Sequence, residues 1–504
     1  MHKWNRTTCS VRHQRGALPD GVASERSQSG NLEYEMQDQT APRYLTVLSE
    51  YLCQTRLEDL PAEVIDRGRW VIADCLPLIA AGMQAEDMRE FARRQLAADP
   101  KGEASVIGYG RTTAPNVAAL LNGTAGTWLE MHDENLHAKG LPGMQVVPGA
   151  LAMAEQCRAS GRDLLLAVIL GYEGSCRISR ATKTKLAIHP SGTFGVIGAA
   201  VAAAKLTGLG HDAMRELINA SATLGLATSR QAVIEGATVT RAYTGASGYL
   251  GILALEMVRS GFTGEVDGVA TVYGSVYADS PEVMSKIPQA PRRSFDPDLV
   301  IAGLGSDFLI TRSFFKIHAC ARSIHPALDL IEEVMSRRPG GRIDPKEVES
   351  IDFRAYFSPT TLANKAPKTI LAAKYSLPFA VASLVYHGRA QLTNFDEKAL
   401  ANPVICDLAL RVNIAENPEY TAFFPHKQPC DVKVRLKDGT VIEAKAEYTK
   451  GDPKNPRSPA ELKNKFFDVA RLVWKKEHAQ RIFDGVMSFE KINDVHAFFS
   501  KNPI

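Results

Sequence analysis

The sequence predicts a mainly α fold, a large all-helical domain with an inserted, smaller α+β unit in its C-terminal half. Three observations carry that reading. From Tyr44 to Ser260, apolar residues recur at helical spacing in one segment after another, without the strand–helix alternation of a doubly wound or barrel fold. Between about 310 and 448 the pattern changes to alternating apolar residues and a hairpin signal. After that, helical spacing returns, so the C-terminus rejoins the helical part.

The elements follow in order. Ala62 to Gly82 is helical, and Thr113 to Glu130 forms an Ala/Leu-rich helix with Pro115 in its first turn. Gln145 to Ala159 and Arg162 to Thr182 continue the theme. Gly192 to Gly208 is small and almost wholly apolar, which predicts a buried helix that neighbours approach closely. Asp212 to Leu226 and Ala246 to Ser260 are again helical. Pro281, Pro288, Pro291 and Pro297 then punctuate a loop-rich stretch. Ile324 to Arg337 reads as helix and Val348 to Phe357 as strand. Cys430 to Tyr448 reads as a hairpin turning on the two residues Asp438-Gly439. Ser458, with Glu461 three residues on, is a capping box where Ser458 to Arg471 returns to helix. No internal repeat is present.

Residues 1–42 read as a separate tail. Lys3, Arg6, Arg12 and Arg15 precede the first acid, Asp20. A disordered tail and a mitochondrial-type presequence both fit, so mitochondrial localisation is an expectation, with the cytoplasm as the alternative.

Composition excludes several classes of function. Lys and Arg total 59 against 56 Asp and Glu, which leaves no broad basic surface for nucleic acid but allows a small cationic pocket. Eight cysteines with no CxxC pair argue against a cysteine zinc site or a disulfide framework. No apolar run reaches the roughly 18 residues of a membrane span. Dinucleotide, P-loop and GxSxG motifs are absent in proper context.

Four places could carry chemistry. Leu129 to Pro148 packs Glu130, His132, Asp133, Glu134 and His137 into eight positions between two apolar helices, either as a solvated loop or as carboxylates projected into a pocket. His189, directly before Pro190 and the buried helix, is a structural His or a proton carrier near a helix N-terminus. Lys205, inside AAVAAAKLTG, either reaches the surface or is buried against a carboxylate. Lys316, His318, Arg322 and His325, in FFKIHACARSIHP, form a basic patch or a seat for a di- or tricarboxylate. Together they suggest a pocket for a small polycarboxylate without metal or nucleotide.

The stretches LEMHDEN, GYEGSCRISRA, IHPSGTFGVIGAAVAAAKLTGL, FKIHACARSIHPALD, KYSLPFAVA and the hairpin followed by YTKGDPKNP resemble the MmgE/PrpD family from about residue 44 to the end. The resemblance implies a helical domain of residues 43–311 and 449–504, an α+β lid of residues 312–448, a homodimer, an active site between the domains and no cofactor. It implies catalytic roles for His189, Lys205, Lys316, Glu130 and Tyr375, and places Asp133, His137, His318, Cys320 and Arg322 around the substrate. Leu141 stands where many relatives carry a His, and His137 is the loop residue offered in its place.

The expected function is therefore lysis of a citrate-like acid: dehydration of 2-methylcitrate or another alkylcitrate. Decarboxylation of a cis-aconitate-like acid, epimerisation of an amino-dicarboxylate and a non-catalytic carboxylate binder are the alternatives.

Overall fold

In the computed structural model, which describes residues 41–98, 100–278 and 294–504, the N-terminal segments form helices α1 (Arg43–Gln54), α2 (Ala62–Gly82), α3 (Glu86–Leu96), α4 (Pro115–Gly126), α5 (Pro142–Gln156), α6 (Gly161–Arg180), α7 (Gly195–Leu206), α8 (His211–Thr223), α9 (Arg230–Glu235) and α10 (Ala242–Arg259). Helix α7 lies at the centre, packed by α5, α6, α8 and α10, and Gly195 through Ala204 are all buried. Small residues set the spacing. A Cβ at Gly171 of α6 would lie 2.5 Å from the carbonyl oxygen of Gly198 in α7, and one at Gly123 of α4 would lie 2.7 Å from the Cα of Gly245 in α10. Any larger side chain would push these pairs apart. The basic tail and the segment with Pro281, Pro288 and Pro291 lie outside the described residues, apart from Ala41 and Pro42.

The two-stranded pairs β1 (Ala104–Val106) with β2 (Arg111–Thr113), and β3 (Asp133–Glu134) with β4 (Phe314–Phe315), are antiparallel. The second pair matters for function, because it brings the acidic loop after α4 against the start of the 312–448 segment. A four-stranded sheet follows in the order β6 (Val412–Glu416), β5 (Val348–Ala355), β7 (Cys430–Leu436), β8 (Val441–Ala446). β5 and β6 are parallel and the other pairs antiparallel. The helix His325–Ser336 covers β7 and β8. The capped helix Pro459–Ala470 returns to pack on α2, with Ser458 and Glu461 bonded as expected.

Two local expectations change. Helix α4 stops at Gly126, before Glu130, because residues 127–130 turn and Glu130 adopts φ 56°. The hairpin turns on three residues rather than two. Leu436 N donates to Thr440 O, and Gly439 takes the left-handed conformation at φ 87° that closes such a turn. The parallel edge strand β6 is not apparent from the sequence. Among the described residues no helix is long and apolar enough to cross a membrane.

Candidate active site

The turn that ends α4 leaves its last carbonyls without helical partners. Two cations take them up. Arg241 Nη1 donates to Thr127 O and Trp128 O at 3.3 and 2.6 Å, and its guanidinium lies 4.1 Å over the Trp128 ring. Lys374 Nζ donates to Trp128 O and Leu129 O at 3.3 and 3.0 Å. The next residue, Glu130, is held in its left-handed conformation with its carboxylate buried.

That carboxylate is the hub of the cluster. Tyr375 donates its hydroxyl to Glu130 Oε2 at 3.2 Å, while Lys316 Nζ and His132 Nε2 each lie 3.5 Å from the same oxygen. Burial alone would push the Glu130 carboxyl up, but Lys316, His132 and Arg241 outweigh it and hold it well below the usual carboxylate range. Lys316, fully buried, also pairs with Glu134 Oε1 at 2.7 Å. Burial would lower its ammonium, yet Glu134 and Glu130 keep it raised and charged. β3 pairing explains this arrangement. Successive side chains of a strand point to opposite faces, so Glu134 reaches Lys316 while Asp133 turns the other way.

His189 precedes α7 in a loop fixed by its own N–H donating to Thr228 O at 2.8 Å. Its Nδ1 accepts from Ser191 N at 3.3 Å, which leaves the proton of the neutral ring on Nε2. Burial, then Arg230, pushes its pKa down to about 4, against the pull of Glu130 and Glu134. Arg322 lies 4.5 Å over the Phe314 ring, is 6% exposed, and its Nε and Nη1 have no hydrogen-bond partner among the described residues. Burial lowers Arg322 and Arg230 from their usual values, and Glu134 is a neighbouring charge of both. Lys374 is pushed down to about 7 by burial and then by Arg241. Five basic side chains, Lys316, Arg230, Arg241, Arg322 and Lys374, thus gather around Glu130 and Glu134, with Asp87 a further acidic neighbour of Arg241 and Asp452 of Arg322.

The structure brings Glu130, Lys316, Tyr375, His189 and Arg322 together as the sequence suggested, with Cys320 buried beside Lys316, its thiol raised by burial and so kept protonated. Others fall elsewhere. Lys205 closes the C-terminus of α1, donating to Leu52 O, Cys53 O and Thr55 O at 3.1, 2.7 and 2.8 Å. An ammonium at a helix C-terminus meets exposed carbonyls and the negative end of the dipole, which is reason enough for a Lys in that apolar helix. His137 lies 3.2 Å from Arg312 Nη1 and is pushed down to about 4 by burial and then by that cation. It does not replace the missing His, and Leu141 is buried at the entry to α5. Asp133 Oδ2 accepts from Gly143 N at 3.2 Å and from Tyr172 OH at 3.3 Å, behind the cluster. His318 points to Asp329 and Glu332, 3.9 and 4.0 Å away. The three have ligand atoms within 4.8 Å of one another, but Arg457 and Lys450 already face the two carboxylates at 3.7 and 3.9 Å. Sequence reasoning missed Arg230, Arg241 and Lys374. Of these, only Lys374 carries a local signal, its place next to Tyr375 in KYSLP. A cavity of about 510 Å³ beside Tyr44, Asp267 and Phe295 contains none of these residues.

Comparison with known proteins fits this architecture. Residues 46–282 match the MmgE/PrpD N-terminal domain and residues 318–490 the MmgE/PrpD C-terminal domain. The chain belongs to the MmgE/PrpD family. It is 24% identical to the cis-aconitate decarboxylase-like protein oryM of Aspergillus oryzae, over 89% of this chain and 95% of that protein. It is 23% identical to cis-aconitate decarboxylase of Aspergillus terreus, over 87% and 91%. It is likewise 23% identical to the mouse cis-aconitate decarboxylase, over 75% and 77%.

Proposed function

We propose that this chain is a lyase that works without a cofactor on a small citrate-like polycarboxylate, and that its reaction is decarboxylation of a cis-aconitate-type acid. The observation that carries the substrate class is the buried Arg322 guanidinium, two of whose N–H donors have no partner among the described residues, in a cluster with Lys316, Arg230, Arg241 and Lys374. A buried cation without a partner is costly, and a bidentate carboxylate is its natural complement. The relatives named above support decarboxylation over the dehydration expected from the sequence.

In this reading Arg322, Arg230 and Lys316 hold carboxylates, and Tyr375 and Glu130 orient the reacting end. In decarboxylation of an allylic acid the electrons of the breaking C–C bond pass across the double bond, carbon dioxide leaves, and the distal carbon takes a proton. His189 is the donor. A bound polyanion offsets Arg230 and raises the His189 pKa from its low value, so binding itself arms the acid. The 312–448 segment acts as the lid: it supplies Lys316, Arg322, Lys374 and Tyr375, whereas the helical body supplies Glu130, Glu134, His189, Arg230 and Arg241. The assembly in this proposal is a homodimer, checked by light scattering.

Dehydration of 2-methylcitrate or an alkylcitrate is the second reading. It is favoured by the buried Glu130–His132 pair, 3.5 Å apart, a carboxylate and imidazole suited to taking a carbon-bound proton.

The test offers the full-length protein cis-aconitate, citrate and 2-methylcitrate in turn, following carbon dioxide release and alkene signals by proton NMR. Carbon dioxide from cis-aconitate is the expected result. Alkene formation from 2-methylcitrate without carbon dioxide would replace decarboxylation by dehydration. Saturable citrate binding with no turnover on any acid would overturn both and leave a binding protein. Arg322→Gln should weaken citrate binding by about 10- to 100-fold.

A further inference from the structure

We infer that Lys374 is a positioning residue: reaching from the 312–448 segment, it clasps the turn before Glu130, and so installs Glu130 in its working conformation. This role rests on the reading of Glu130 as a residue of the active site.

The turn holds that shape mainly through groups outside itself. Glu130 is a non-glycine residue at φ 56°, a conformation that costs an L-residue about 1 kcal/mol or more unless its surroundings impose it. Within the turn, one main-chain bond supports it, from Glu130 N to Thr127 O at 3.1 Å. Each of the three carbonyls that precede Glu130 also takes a side-chain donor from outside the turn. Arg241 takes Thr127 and Trp128, and Lys374 takes Trp128 and Leu129. Arg241 belongs to the helical body, as does the turn, so it travels with the turn. Lys374 does not. It ends the short helix Ile370–Lys374, 246 residues beyond Trp128, and its own carbonyl accepts from Ala321 N at 2.9 Å. One residue therefore joins the segment carrying Lys316 and Arg322, through its main chain, to the turn carrying Glu130, through its side chain. Its neighbour Tyr375 meets the Glu130 carboxylate directly. Backbone and side chain of Glu130 are thus set by two consecutive residues, and both are lost together if the 312–448 segment moves away.

A positioning residue has a signature that a general packing role lacks. Lys374→Met should lower kcat on cis-aconitate by about 10- to 100-fold, as expected for a sub-ångström misplacement of a reacting group, with KM changed by less than about threefold. Lys374→Arg, which can still reach two carbonyls, should recover most of the loss. Hydrogen exchange followed by mass spectrometry gives a readout independent of substrate. In Lys374→Met the peptide covering residues 127–134 should exchange faster, with helices α6 and α7 unchanged. If Lys374→Met does not fold, Lys374→Gln, which keeps a neutral donor, should show the same changes in weaker form. Wild-type exchange at 127–134 in these variants would overturn the clasp, whatever the enzyme's substrate. Faster exchange there in a protein whose wild type turns over none of the acids would keep the clasp and reject the assigned activity. Equal losses in kcat and affinity, unrescued by Arg, would show Lys374 to be a packing residue only.

Discussion

Tyr375 donates its hydroxyl to Glu130 Oε2 at 3.2 Å across 245 residues of sequence. The bond ties the one carboxylate on which Lys316 and His132 also converge to the segment that carries Lys374. Removing the hydroxyl leaves Glu130 with its two cationic or titratable neighbours and little change in volume. Tyr375→Phe should therefore fold normally by circular dichroism and lose about 10- to 100-fold in turnover, the worth of one hydrogen bond to a charged group. A rate equal to wild type would remove Tyr375 from the site.

His189 is the group assigned the proton transfer. His189→Ala should cost about 100- to 10,000-fold in kcat, the usual worth of one general acid or base. Because Ser191 N spends its bond on Nδ1, His189→Gln offers an amide oxygen to the same N–H and tests whether proton transfer, rather than loop geometry, is lost. Both variants should be comparably slow, and an active Gln variant would argue against His189 as the donor.

Lys205 gives the opposite expectation. Its three acceptors are main-chain carbonyls at the end of α1. Lys205→Met should lower stability by about 1–2 kcal/mol in denaturant titration, with kcat and KM unchanged. Loss of turnover without loss of stability would return Lys205 to the site.

Asp133 should make stability depend on pH. Burial and then Asp74 raise its pKa from 3.8 to about 7. A carboxyl raised in the folded state contributes its stability fully below its unfolded value and loses it as pH rises through the folded one, here between about 4 and 7. Asp133→Asn cannot ionise. Measured against wild type, it should gain relative stability from pH 5 to pH 8, by roughly 1–4 kcal/mol in chemical denaturation. A difference that stays constant across that range would show that Asp133 does not titrate there.

Much of this architecture can be read from residue patterns, and what escapes them has a common cause. Helix α7 is legible because nearly every position is apolar and small, and the β7–β8 hairpin because alternation brackets an Asp-Gly turn. Glu130, Lys316 and His189 are legible as polar groups in apolar or Gly-rich motifs, and Tyr375 only through the family resemblance of KYSLPFAVA. Arg241 is not, because its partners are carbonyl oxygens 113 and 114 residues away, and main-chain oxygens leave no mark on a sequence; Lys374, whose acceptors lie 245 and 246 residues away, is marked only by its place beside Tyr375. The misplacement of Lys205 has the same origin. A lone Lys in the last turn of an apolar helix reads equally as a buried ligand or as a cap, and the carbonyls that decide the matter lie 150 to 153 residues earlier. Strand β6 escapes because it is a short edge strand whose partner in the sheet, β5, lies before a long crossover.

That crossover has a consequence for the order of events as the chain folds. β5 and β6 are parallel, so everything between Ala355 and Val412 must be threaded across the sheet before the two can pair. Lys374 and Tyr375 lie within that connection. Contacts between distant parts of a chain form late because loop closure must come first. Helices α1 to α10 can therefore be packed together while the pocket is still unarmed. During refolding, far-ultraviolet signal should recover ahead of turnover, and a chain halted in that interval would be well structured, protease-resistant and inert.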